Sequence, residues 1–310
     1  MAGTHDLLEP PRRLARTLAS DPSFGPAQRA WLDALPDHTH ECLARWDLTP
    51  ERVQLPGGRA SLMVLVRTAD GTPAALKLAP PGTTTALEHA ALAHWNGLGA
   101  VRPLRVDAEA GALLLERLHG GISLRSLAEP KAQLEAAATV QRLWVPPAEG
   151  HPFPTVAEHT AVLAGRLREW AGQPWAADAR AVTEEALELR EALTAEVPEP
   201  PVLLHGEYEE GTVLAGERAP WLAVGPRPLA GERAYDLAWL VRDRLDTLMA
   251  SPGAAAAARR RVARLADSLE VDADRLRGWT LFRTAEAGVH ALAAGLPRRG
   301  ELLLEFAGLL

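Results

Sequence analysis

The period of the apolar residues changes once along this chain, and the change limits the folds open to it. Between residues 61 and 118 the apolar runs are short and strand-like: 61–67, 74–78, 101–106 and 112–118. Asp70-Gly71 is a hairpin signal between the first two, and Pro56-Gly57-Gly58 is a turn upstream. One helical pattern, Thr85–Trp95, interrupts the strands and ends at Asn96-Gly97. From Ser126 onward the spacing is three and four. The stretches 126–144, 156–171, 178–196, 235–249, 254–269 and 274–292 all read as amphipathic helices. Only 201–206 and 221–226 between them are strand-like. A small antiparallel sheet with one helix, followed by a larger helical part, is an α+β arrangement rather than an alternating α/β one.

Residues 1–50 form a third compositional zone. Pro10-Pro11, Pro22, Pro26 and Pro36 divide it into short helical pieces, with 27–35 and 39–46 at helical spacing. Residues 1–11 lack a positive flank before an apolar run, and no stretch nears the roughly 18 apolar residues of a membrane span. The expected setting is cytoplasmic, with no membrane partner.

Charge and residue scarcity narrow the chemistry. Asp and Glu number 40 against 33 Lys and Arg, a formal charge of −7. That balance disfavours a nucleic-acid partner and suits a small cationic ligand. Cys42 is the only cysteine, which excludes a disulfide framework and any CxxC metal site. Lys77 and Lys131 are the only lysines and Asn96 is the only asparagine. Lys77 lies inside an apolar strand and Glu88 follows eleven residues later on the predicted helix. A strand lysine oriented by a helix glutamate is how kinases hold ATP phosphates.

The sequence from this point resembles the streptomycin and hydroxyurea phosphotransferases, of the aminoglycoside-phosphotransferase, kinase-like superfamily. Ala30-Trp31-Leu32-Asp33-Ala34-Leu35-Pro36, Asp70 to Leu78, Gly99 to Leu104 and Ala112 to Leu118 carry the resemblance in the first half. Leu203-Leu204-His205-Gly206, Pro220 to Ala223, Pro226 to Leu229 and Ala234-Tyr235-Asp236-Leu237-Ala238 carry it in the second. It implies a bilobal protein-kinase-like fold: a helical extension over 1–50, a nucleotide-side lobe over 51–117 and a helical lobe over 118–310, with the catalytic loop region in 201–238. It further implies that Lys77 and Glu88 hold ATP phosphates, and that adenine meets the backbone of a hinge at Glu116 and Arg117. Gly57-Gly58 would lie at the phosphate-covering turn. His205 and Asp236 would organise the catalytic loop.

The loop itself departs from the family. The pattern His-Gly-Asp, three residues, Gly-Asn stands here as His205-Gly206-Glu207-Tyr208-Glu209-Glu210-Gly211-Thr212. Glu207 replaces the base aspartate and Thr212 the metal-binding asparagine. Gly225, in Val224-Gly225-Pro226-Arg227, replaces the magnesium-binding aspartate. Glycine offers no ligand, threonine lacks the reach of asparagine, and the added methylene of Glu207 moves its carboxylate by about 1 Å, a displacement that can cost on the order of a hundredfold in rate. Glu209 and Glu210 are the carboxylates near enough in sequence to substitute as metal ligands. Two functions are therefore expected as alternatives. One is a degenerate pseudokinase that binds a small cationic or polyhydroxylated molecule, or a partner enzyme, in antibiotic resistance or secondary metabolism. The other is an active ATP- and magnesium-dependent O-phosphotransferase on an aminoglycoside or related hydroxyl-bearing small molecule, with Glu207 as base.

Overall fold

The computed structural model of the chain describes residues 8–55, 57–58, 60–82, 84–196 and 199–310. The start of the N-terminal segment and Pro56 of the upstream turn lie outside them. Contacts divide the chain into two compact units: 1–122 with 214–222, and 123–213 with 223–310.

The first unit begins with helices α1 (Arg12–Ser20) and α2 (Pro26–Trp46). Strands β1 (Thr49–Val53), β2 (Leu62–Arg67) and β3 (Pro73–Leu78) follow, then α3 (Thr85–Trp95), β4 (Pro103–Asp107) and β5 (Ala112–Glu116). The sheet is antiparallel, in the order β1-β2-β3-β5-β4. Leu62, Val64, Val66, Leu76, Leu78 and Leu114 of the sheet share one buried cluster with Leu14, Leu18, Trp31, Leu35, Cys42 and Leu43. The N-terminal helices are thus part of this unit's core rather than a separate extension. Pro36 does not divide α2. Its ring removes one backbone donor, but Trp31, Leu35, Thr39, Cys42 and Leu43 form a continuous buried face across it.

Strand β6 (His119–Ser123) leads to the second unit, which opens with α4 (Glu129–Leu143), α5 (Val156–Ala171) and α6 (Arg180–Ala195). Next come β7 (Val202–Leu204) and, after a return of the chain to the first unit through β8 (Val213–Ala215) and β9 (Trp221–Ala223), β10 (Leu229–Gly231). β6, β8 and β9 form a three-stranded sheet, and β7 pairs antiparallel with β10. The rest is α7 (Arg233–Val241), α8 (Leu245–Met249), α9 (Ala254–Leu269), α10 (Ala273–Ala293) and α11 (Pro297–Ala307). α10 is the hub, in contact with α5, α6, α7, α9 and α11, and Trp279, Leu281 and Phe282 on it are fully buried.

The helix expected over 235–249 is two helices. Arg244 adopts a left-handed φ of 54° and separates α7 from α8. The break leaves Arg242 buried over the Trp239 ring and frees the Asp243 carboxylate to meet the loop at Glu210. No helix among the described residues is long and apolar enough to cross a membrane.

Candidate active site

In the first unit, β3 carries Lys77 and α3 carries Glu88. The Lys77 ammonium donates to both Glu88 oxygens, at 2.8 and 2.6 Å. Both side chains are largely buried. Antiparallel pairing sets Lys77 between Met63 of β2 and Leu113 of β5, so the strand cannot slip without turning the lysine to the other face. The result is a cation in a fixed place, able to meet an anion.

Glu116 and Arg117 are engaged in the fold of this unit. Glu116 accepts from the Arg102 amide and pairs with Arg218, while its own amide donates to Arg102. Arg117 donates to the carbonyls of Ala74 and Val66 and pairs with Glu51. Their side chains tie the end of β5 to its neighbours. Gly57 has a φ of 75°, and the turn around it continues into residues outside those described.

In the second unit, the loop after β7 is held from several sides. Asp236, fully buried on α7, accepts from the amides of His205 (2.9 Å) and Gly206 (2.7 Å). The Trp144 indole also reaches it, at 3.3 Å. His205 is buried: Nε2 lies 3.1 Å from the Val224 carbonyl, and Nδ1 accepts from the Glu207 amide. Arg283 of α10 donates to the Gly206 carbonyl at 2.6 Å and stacks over Tyr235. Gly206 has a φ of 82°, and a Cβ there would lie 1.9 Å from the Arg227 carbonyl oxygen. Only glycine fits that crossing.

Glu207 is partly exposed and pairs with Arg227 at 3.3 Å. His159 of α5 faces the same charges. Burial first, then Arg283, pushes it down to about 4, so it is neutral near pH 7.

Thr212 is turned back into the loop. Its hydroxyl accepts from the Glu209 amide and lies 2.9 Å from the Glu209 carbonyl. It caps the short turn Glu210–Thr212. Glu209 pairs with Arg125 at 3.2 Å. Glu210 is buried and pairs with Arg244 at 2.8 Å, and burial raises its carboxyl above the usual range. Asp243, also buried, accepts from the Glu210 amide at 2.7 Å and is pushed up to about 7, mainly by desolvation and by Glu209.

These contacts test the loop against a magnesium ion, which needs hard oxygen donors converging in near-octahedral geometry. Gly225 has no donor, the Thr212 hydroxyl is used within the turn, and Glu209 and Glu210 face arginines. Among the described residues no group of three His, Cys, Asp or Glu side chains is arranged to hold a metal. The fold pairs the Glu209 and Glu210 carboxylates with Arg125 and Arg244, and the residues present do not fit the ion.

The sequence left Asp243, Arg125, Arg244, Arg227 and His159 without roles. Asp243 had a signal. It follows Asp236 by seven residues, two helical turns, and each aspartate accepts a loop amide. The arginines had none, because their partners lie up to 120 residues away in sequence.

A family model described as aminoglycoside/hydroxyurea antibiotic resistance kinase matches residues 45–295. The chain belongs to that family. It is 35% identical over 282 residues to streptomycin 6-kinase of Streptomyces glaucescens, covering 90% of each chain. It is 36% identical over 304 residues to hydroxyurea phosphotransferase of Kitasatospora aureofaciens, covering 92% of this chain and 83% of the relative. Among solved structures, a thermostable mutant of aminoglycoside phosphotransferase APH(4)-Ia matches with a TM-score of 0.61 at 14% identity, over 86% of this chain and 96% of that one. Choline kinase LicA from Streptococcus pneumoniae matches with a TM-score of 0.61 at 12% identity, over 88% of this chain and 99% of that one. The fold is the kinase-like one, an antiparallel five-stranded sheet with a helical majority.

Proposed function

We propose that this member of the aminoglycoside/hydroxyurea resistance kinase family is catalytically degenerate and acts by binding. Its ligand would be a small cationic or polyhydroxylated molecule, or a partner enzyme, in antibiotic resistance or secondary metabolism. The observation that carries this reading is the donor set of the loop: nothing at Gly225, and a Thr212 hydroxyl taken up by Glu209. Phosphoryl transfer relies on positioning and on neutralising charge at the phosphates. Losing both ligands of the neutralising ion is more severe than lengthening the base. The retained Lys77–Glu88 pair supports binding of ATP or a similar anion without magnesium.

A second reading is an active O-phosphotransferase. The part-exposed Glu207 carboxylate favours it, since a base must be reachable by a hydroxyl. The relatives bear the names of kinases for streptomycin and of a phosphotransferase for hydroxyurea. Transfer of labelled phosphate from ATP to streptomycin and to hydroxyurea separates the two readings. The comparison is between the unaltered chain and one carrying Glu207→Asp, Thr212→Asn and Gly225→Asp together. The degenerate reading expects no transfer above background by the unaltered chain. Transfer by the unaltered chain at a rate similar to the triple variant would establish the second reading.

A further inference from the structure

The basic tract Arg259-Arg260-Arg261 reads in the sequence as the exposed face of a strong helix, and the structure divides it. Arg259 and Arg260 are exposed on α9, but Arg261 is buried. Its guanidinium donates to the carbonyls of Val241 (2.9 Å) and Asp243 (2.6 Å), and to Glu129 of α4. Beside it, α4, α8 and α9 of the second unit enclose a groove of about 280 Å³. Arg260, Arg261 and Arg264 line it, with Glu129, Gln133 and Thr247 among the polar groups.

We propose that this groove binds a phosphate-bearing small molecule. Arg260 and Arg264 lie one turn apart, both exposed, and neither has an ion-pair partner among the described residues. Like charges at this spacing repel, and Arg261 adds a third guanidinium at the same wall. The Glu129 carboxylate is taken up by Arg261 and by the Gln133 amide. Three guanidiniums around a concave volume therefore face one engaged carboxylate, in a chain that is acidic overall. A dianion resolves that imbalance with charge-assisted, two-pronged hydrogen bonds, the geometry for which arginine is suited. Arg261 is already held by three acceptors, so its charge is placed before a ligand arrives. The volume is small for a ligand pocket, and suits a phosphate or diphosphate group better than a whole antibiotic.

The site uses none of the loop residues and stands independently of the proposed function. Inorganic pyrophosphate and ADP are titrated calorimetrically into the full chain, into Arg260→Ala/Arg264→Ala, and into Arg259→Ala. All three arginines are exposed, so each variant keeps the fold, and thermal unfolding checks this. The expected result is pyrophosphate binding that weakens about tenfold or more in the double variant and is unchanged by Arg259→Ala. A matching loss for ADP identifies the ligand as a nucleotide, and a loss for pyrophosphate alone identifies it as a free phosphate compound. Equal pyrophosphate affinity in the double variant and the unaltered chain, or no binding by the unaltered chain, overturns the proposal.

Discussion

Two glycines of the second unit have the same sign of φ and opposite tolerance. Gly206 and Gly225 sit at 82° and 65°. Beyond Gly225 a Cβ would meet nothing within 4 Å, whereas at Gly206 it would strike the Arg227 carbonyl. Gly225→Asp should therefore fold, losing about 1 kcal/mol to left-handed strain, which aspartate tolerates better than most residues. Gly206→Ala should lose about 3 kcal/mol or more, because backbone must move. Urea unfolding midpoints at constant slope check both. The contrast bears on the proposed function, because a side chain at Gly225 would have open space around its Cβ. At this scale the sequence was legible where a residue type was scarce. Lys77 stood out as one of two lysines, and its pairing with Glu88 followed from strand-to-helix spacing. Thr212 and Gly225 were visible as departures. What Thr212 does with its hydroxyl was not visible, since it depends on the turn closing at Glu209.

Among the elements, the junction of α7 and α8 concentrates buried charge behind the loop. Asp243 faces Arg125, Glu209 and Glu210, and its pKa stands at about 7, well above the ordinary carboxylate range. Between about pH 4 and pH 7 the folded state thus holds more protons at this group than the unfolded chain. Its contribution to stability is fully present below the unfolded pKa and is lost as pH rises through about 7. Asp243→Asn removes this dependence while keeping an acceptor for the Glu210 amide. The variant should gain stability relative to the unaltered chain between about pH 5 and about pH 8, read from urea midpoints at the two pH values. An unchanged difference across that range would show that Asp243 ionises normally. The helix–helix break at Arg244 was not legible, because apolar spacing runs unbroken from Tyr235 to Met249. The continuous α2 was hidden for the opposite reason: Pro36 signals a stop, and burial along Trp31, Leu35, Thr39 and Cys42 overrides it. Pro297 and Gly300 weaken the pattern of α11 in the sequence, although Leu303 and Phe306 are buried.

For the molecule as a whole, the order of elements was legible because period-2 and period-3.6 patterns are local properties of the chain. The place of residues 8–50 was not. Their apolar face pairs with the sheet core only in three dimensions, and no spacing rule announces that partner. The charge of −7 also takes on a definite distribution. Glu209 and Glu210 are held by Arg125 and Arg244 and Glu207 by Arg227, while Arg260 and Arg264 of α9 have no ion-pair partner among the described residues, so net charge alone was a poor guide to either site. In the proposed degenerate member the kinase-like fold is retained and the magnesium site is lost. Thermal unfolding of the full chain with ATP, with and without magnesium, tests it most directly through the linkage of binding to stability. Any rise in Tm caused by ATP should be the same with magnesium as without it. A clear additional rise that requires magnesium would contradict it.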